Sequence, residues 1–163
     1  MAEAASSRMI RRPTEEVLMS GSLTVDRMTV GDAMHTGIVA CDVHAPLGAV
    51  ARIMAAHRIH CVVVRNSAVE WTGPGAGLWG VISDLDLVRL VATDDLEGRT
   101  AGESAATPAF VVNERDSVQE AARLMADNGV THLVVVNHAA KPVGVVSTLD
   151  VAQAVSEAIH APR

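Results

Sequence analysis

Aromatic side chains are almost missing from this chain: it has no tyrosine, one phenylalanine (Phe110) and two tryptophans, Trp71 and Trp79. Base-stacking platforms for single-stranded nucleic acid are built from such rings, so their scarcity argues against that partner. Lysine is equally scarce, with Lys141 the single one among 13 basic residues, and the formal net charge is −6. No basic patch dominates, which argues against broad binding to a phosphate backbone. The two cysteines, Cys41 and Cys61, form no CxxC pair and no framework. They read as small buried hydrophobes in a reducing compartment. No apolar run approaches the roughly 20 residues needed to cross a bilayer. Met1 to Arg12 lacks the apolar centre of a secretory signal. The expectation is a soluble, cytoplasmic protein with neither membrane nor nucleic acid as partner.

What is present is repetition. Residues Thr29 to Val64 align with Thr100 to Val135 at a constant offset of 71, placing Gly31 on Gly102, Arg52 on Arg123 and Met54 on Met125. The offset then drops to 64, so Gly80-Val-Ile-Ser83-Asp-Leu-Asp86 aligns with Gly144-Val-Val-Ser147-Thr-Leu-Asp150. The first copy's loop, from Asn66 to Gly77, is therefore seven residues longer (71 against 64). A duplicated unit of this size buries its apolar face against its own copy, which makes the junction between copies the first place to look for a site. With 163 residues and 49% of them apolar, the chain suffices for one well-covered core.

Each copy reads as a short lead-in (Val30 to Met34; Ala101 to Ala105) and an extended piece (Ile38 to Cys41; Ala109 to Val112). A helix follows, over Ala45 to His57 and Ser117 to Asn128. Leu47, Val50, Ile53 and Met54, mirrored by Val118, Ala121, Leu124 and Met125, recur at helical spacing. Asp116 or Ser117 is the candidate cap of the second helix and Gly129 its stop. Unbroken apolar runs, Cys61 to Val64 and Leu133 to Val136, predict buried strands of the kind found in parallel pairs. Another strand follows (Trp79 to Ile82; Val143 to Val146), then a closing helix (Asp84 to Ala92; Thr148 to Ile159). Residues 1–24 read as a flexible leader with a short helical turn near Thr14 to Met19. The fold class is α/β (α+β), with a β-α-β-β-α unit over 25–97 and a second over 98–163, packed with pseudo-two-fold symmetry.

Ser83 and Asp86 sit three apart where a strand hands over to a helix, as do Ser147 and Asp150. Two readings share that geometry. In one, Ser-x-x-Asp is a capping box that satisfies free N–H groups of the first turn, worth about 1 kcal/mol each. In the other, the helix N-terminus and the Ser hydroxyl face a phosphate, and the carboxylate accepts hydrogen bonds from a ribose diol.

The two Gly-h-h-Ser-x-x-Asp elements follow the passages His57 to Val64 and Asn128 to Val135. Together they resemble a tandem pair of CBS domains, also called a Bateman module, over about residues 28–158. The resemblance implies adenosine nucleotides of the AMP, ADP or ATP type as regulatory ligands, no required cofactor, and two sites that each mix the copies. Site one would combine Ser147 and Asp150 with Met34, Gly37, Val39, Ile59, His60 and Cys61. Site two would combine Ser83 and Asp86 with Ala105, Pro108, Phe110, Val130, Thr131 and His132. Main-chain groups near Val39, Phe110, Ile59 to Cys61 and Val130 to His132 would read the adenine edge. Val62 and Leu133 stand where many relatives carry proline. Phe110 is large for its place and either stacks on a base or fills the base's cavity.

Arg89, one turn beyond Asp86, either reaches an anion or pairs with Asp86 along the helix. His60 and His132 stand at the strand starts, where a neutral imidazole can still donate one hydrogen bond to a phosphate. A metal reading would use His57, His60, Cys61 and His132, all acceptable ligands for zinc. No acid–base pair stands out among Asp84, Asp86, Asp94, Asp95 and Glu97. Cys61 with a histidine lacks a third group and an oxyanion hole. The expectation is a non-catalytic, stand-alone regulatory module without a resident metal. It would be a homodimer through the small-residue helix faces (Ala49, Ala56, Ala121, Ala122, Ala126) and would signal to a protein partner. The competing expectation is a scaffold protein with no small ligand.

Overall fold

The computed structural model describes residues 25, 27–69, 77–93 and 96–160. The leader, the turn near Thr14, Trp71, Asp94 and Asp95 lie outside them. In chain order the described elements are α1 (Val30–Ala33), β1 (His35–Thr36), β2 (Ala40–Asp42), α2 (Leu47–His57), β3 (Cys61–Arg65), β4 (Leu78–Ser83) and α3 (Asp84–Ala92). The second copy follows with α4 (Ala101–Ser104), β5 (Val111–Asn113), α5 (Val118–Asn128), β6 (His132–Val136), β7 (Pro142–Ser147) and α6 (Thr148–His160).

The apolar runs form the central strands of two sheets. β2 lies parallel to β3 and β5 parallel to β6, while β3–β4 and β6–β7 are antiparallel hairpins. Alternation along these runs explains why they carry no polar break. Val62 and Val64 face the first repeat's core with Leu47, Val50, Met54 and Ile82. Leu133 and Val135 face the second repeat's core with Val112, Met125 and Val146. Val63 and Val134, on the opposite faces, meet Val81 in a third cluster between the sheets. Both sheet faces are therefore buried.

Long-range pairing of the lead-ins is the main departure from the expected element order. Lead-in one crosses to the second repeat: β1 pairs with β7, His35 opposite Val145, giving a sheet of order β1-β7-β6-β5. Lead-in two crosses the other way, with Ala106 bridging Val81 beside the β2-β3-β4 sheet. Val30 is fully buried in the second core and Ala101 fully buried in the first. Each core is completed by the other copy.

Both lead-ins are single helical turns with complete capping boxes, Thr29–Asp32 and Thr100–Glu103. These hydrogen bonds hold the exposed carboxyls of Asp32 and Glu103 below their usual range. α2 begins at Leu47, two residues later than expected, because Pro46 stands extended at its N-cap and has no side-chain cap. α5 is capped by Ser117 and stopped by Gly129 in the left-handed conformation.

Candidate functional site

Each Ser-x-x-Asp element closes a capping box. Ser83 Oγ accepts from the Asp86 N–H (3.3 Å), and Asp86 Oδ2 accepts from the Ser83 N–H and hydroxyl at 2.8 and 2.6 Å. Ser147 and Asp150 repeat the pattern, with Oδ2 distances of 2.6 and 2.7 Å. In both boxes one carboxylate oxygen, Oδ2, takes both cap bonds. Oδ1 of Asp86 has Arg89 Nη1 at 3.6 Å, so the helix-surface pair expected from spacing is present.

The glycine that opens each element has a steric reason. A Cβ on Gly80 would stand 2.4 Å from the Ala106 carbonyl oxygen, and one on Gly144 would stand 2.4 Å from that of His35. The crossing lead-ins press on these positions, and only glycine leaves room.

Seven of the eight residues expected for site two line one inter-repeat cleft or border it. Ser83 and Asp86 enter from the start of α3, Pro108 and Phe110 from the piece before β5, and Val130, Thr131 and His132 from the α5–β6 passage. The eighth, Ala105, packs on the first core instead, and its neighbour Ala106 takes its place on the wall. Arg89 also lines the cleft, as do Val81, Leu85, Ala109 and Gly129, which sequence reasoning did not assign to it. The enclosed part of the cleft is small, about 70 Å³, below the ordinary range for small-molecule sites, so a ligand would lie largely in its open mouth. Phe110 lines the cleft and also packs on the second core.

The residues expected for site one are more dispersed. Met34 packs on the second core and Ile59 on the first. Gly37, at φ +89°, donates its N–H to the Val143 carbonyl, 2.8 Å. The Val39 carbonyl accepts from Val63, as Phe110 does from Val134. His60 Nδ1 lies 2.7 Å from Asp84 Oδ2 at the start of α3, within its own repeat. Asp150 is buried, and His35, which sequence reasoning did not single out, places Nδ1 3.1 Å from Asp150 Oδ1.

Charges concentrate where the two Ser-x-x-Asp elements approach each other. Burial pushes the His132 imidazole below its ordinary value, against the pull of Asp84, Asp150 and Asp86. Burial also pushes the Cys61 thiol up to about 12, helped by the negative fields of Asp84 and Asp150. A thiol so hard to ionise makes a poor nucleophile. For Asp84, burial raises the carboxyl, but the His60 hydrogen bond and the Leu85 N–H outweigh it and the net shift is downward. Among the described residues no three His, Cys, Asp or Glu side chains are grouped to hold a metal, and His57 is exposed away from any such set. No described helix is long and apolar enough to cross a membrane.

The CBS domain pattern matches residues 30–93 and 103–157, most of the chain and both repeats. This chain belongs to the CBS-domain family. Hypoxic response protein 1 of Mycobacterium tuberculosis is 30% identical over 131 residues, 79% of this chain and 86% of that protein. A crystal structure of Hypoxic Response Protein I with two coordinated zinc ions matches with a TM-score of 0.58 and 26% identity, over 77% of this chain and 98% of that one. The CBS domain of a bacterial CNNM/CorC family Mg2+ transporter in complex with ATP gives a TM-score of 0.68 at 23% identity, covering 88% and 98%. CBSX2 in complex with AMP gives 0.60 at 23%, covering 80% and 97%. The last two likenesses establish the fold. CBS pairs are regulatory modules, and this pair has the α+β architecture expected of them.

Proposed function

We propose that this CBS pair binds an adenosine-type nucleotide between its repeats and passes the resulting change of arrangement to a protein partner. One observation carries the reading: Asp86 lines an inter-repeat cleft while its Oδ2 takes both cap bonds, which leaves Oδ1 facing Arg89 at 3.6 Å. A carboxylate oxygen suits a ribose diol, and the Arg89 guanidinium that lines the same cleft suits a phosphate. Apolar walls from Val81, Ala109, Phe110 and Val130 suit a purine. ATP and AMP in the transporter domain and CBSX2 support the same ligand class. Regulation follows if the nucleotide contacts both repeats and favours one arrangement of them. The reading includes no catalytic step and places the protein in the cytoplasm.

A second copy of the chain completes the reading, though not over the whole alanine face expected from the sequence, because Ala121 is fully buried in the second core. α3 buries none of its residues, and Leu85, Val88 and Val91 are 40%, 61% and 62% exposed. Leu149, Val155 and Ile159 of α6 are similarly open. An apolar face of this kind is the surface a homodimer covers.

The scaffold reading has one observation in its favour: in both Ser-x-x-Asp elements the serine and the carboxylate satisfy each other and the first turn as complete capping boxes. Zinc, coordinated in Hypoxic Response Protein I, is the weaker alternative, since the exposed His60–Asp84 pair offers only two ligands. Thermal-shift titration against AMP, ADP, ATP and zinc, with Asp86→Ala and Asp150→Ala alongside, separates the three. A nucleotide at a hundred times its dissociation constant adds about 2.7 kcal/mol. A nucleotide shift lost in an Asp variant supports the sensor. Variants that only melt earlier, with no nucleotide shift in any protein, support the scaffold. A shift with zinc that chelator reverses supports the metal reading.

A further inference from the structure

Aligned by the repeat, the surroundings of the two Ser-x-x-Asp elements share their lead-in pairings and differ in the side chains on the crossing lead-in. Met34-His35 in the first corresponds to Ala105-Ala106 in the second. His35 lies opposite Val145 as Ala106 lies opposite Val81, and each carbonyl presses equally on its glycine. The consequences differ at the carboxylates. The Asp86 side chain is 21% exposed and lines an open cleft, with the Ala106 methyl beside it. The Asp150 side chain is 1% exposed, and its Oδ1 is shut away without a well-aligned hydrogen bond; His35, its own side chain 78% exposed, lies on the solvent side with Nδ1 3.1 Å off. Met34 fills the adjoining space, its sulfur only 2.9 Å from where a Cβ on Gly144 would lie. Position 153 adds to the difference, because Gln153 stands where the second cleft has Arg89.

We infer that the chain takes one nucleotide, not two: the cleft at Ser83 and Asp86 is the ligand site, and Met34 and His35 keep the one at Ser147 and Asp150 closed. The inference rests on the nucleotide reading for its ligand, and on the buried Asp150 carboxylate for the closure. His35 is thus a residue that decides occupancy, and the family's pseudo-symmetry is broken in this chain by two side chains.

Calorimetric titration of the full chain with AMP, and with adenosine to remove the contribution of Arg89, tests it. Wild type binds one ligand per chain, and Asp86→Asn, which keeps a capping acceptor, abolishes binding. Ala106→His, which copies His35 into the open cleft, also abolishes it. Met34→Ala/His35→Ala, which copies the second lead-in into the first, adds a second and weaker site. Two ligands per wild-type chain, binding that survives Asp86→Asn, or a double variant that stays at one would each overturn the inference. If neither probe binds any of these proteins, the nucleotide reading fails, and carbodiimide labelling read by peptide mass decides the closure alone. Asp86 labels ahead of Asp150 in wild type, and both label in the double variant. Equal labelling in wild type overturns the closure.

Discussion

Gly80 and Ala106 approach so closely that a methyl group on Gly80 would stand 2.4 Å from the Ala106 carbonyl oxygen. The obstacle is backbone, held by reciprocal hydrogen bonds between Val81 and Ala106. It cannot swing aside as a side-chain tip would. Gly80→Ala is therefore expected to cost on the order of 2 kcal/mol, as overpacking does, and to displace the wall of the cleft. Urea denaturation measures the first effect and nucleotide titration the second; unchanged stability would show that the lead-in yields.

Removing a capping hydroxyl should be milder. Ser83→Ala and Ser147→Ala are each expected to lose about 1 kcal/mol, read as a lower denaturation midpoint with an unchanged slope. In the sensor reading Ser83→Ala also weakens the nucleotide's stabilising effect.

Acid should act through His132. Its folded imidazole is held below the ordinary 6.5, mainly by burial. The unfolded chain therefore takes up this proton first, and protonation favours unfolding. Stability from this group is full above 6.5 and declines as pH falls from there towards the folded value. His132→Gln should flatten that part of the curve. Asp84, held low by His60 and the Leu85 N–H against the effect of burial, acts in a lower window, its stability being lost as pH falls from 3.8 through the folded value. A stability curve that stays level between pH 7 and 5 in wild type would contradict the assignment.

Thiol reactivity gives a simple check on the core. With the Cys61 thiol at about 12, its thiolate at pH 8 is on the order of one part in ten thousand. Cys41 is also raised, by burial and by Asp42. A disulfide reagent should titrate Cys61 slowly in the native protein and fast in denaturant. A rapid native reaction at Cys61 would show that the strand start is open.

The apolar face of α3 predicts association. Val88→Glu, at a residue 61% exposed, should leave the melting temperature of the isolated chain nearly unchanged. If a second copy covers this face, light scattering should register a fall from dimer to monomer. A wild-type monomer would show that α3 meets something other than its own copy.

Local chemistry made much of this fold legible. α3 begins at Asp84 and ends at Ala92 as its pattern predicts, because a capping box fixes the start. α5 ends at Asn128 because Gly129 provides the left-handed stop. The short helices at Thr29 and Thr100 carried the same Ser/Thr-x-x-acid signature, but one turn has too few apolar positions to show a period. What periodicity cannot express is which sheet a lead-in joins. The pairing of His35 with Val145 spans 110 positions of chain and depends on the space above Gly144. The residues around Ser83 were named through the family resemblance rather than through local pattern, and His35 was not named at all: no local pattern distinguishes it from its neighbours.

Exchange of the lead-ins also sets how this molecule can move. Val30 is rooted in one core and Ala101 in the other, so the halves are interlocked like two links of a chain. They cannot gape apart as jaws do without pulling a buried residue from each side. A motion that would keep both residues seated is a slide of the sheets along the cluster of Val63, Val81 and Val134, past the close approaches at Gly80 and Gly144. Such a shear is short in range and stiff. It would be felt first at α3 and α6, the two helices that begin directly after those glycine-bearing strands.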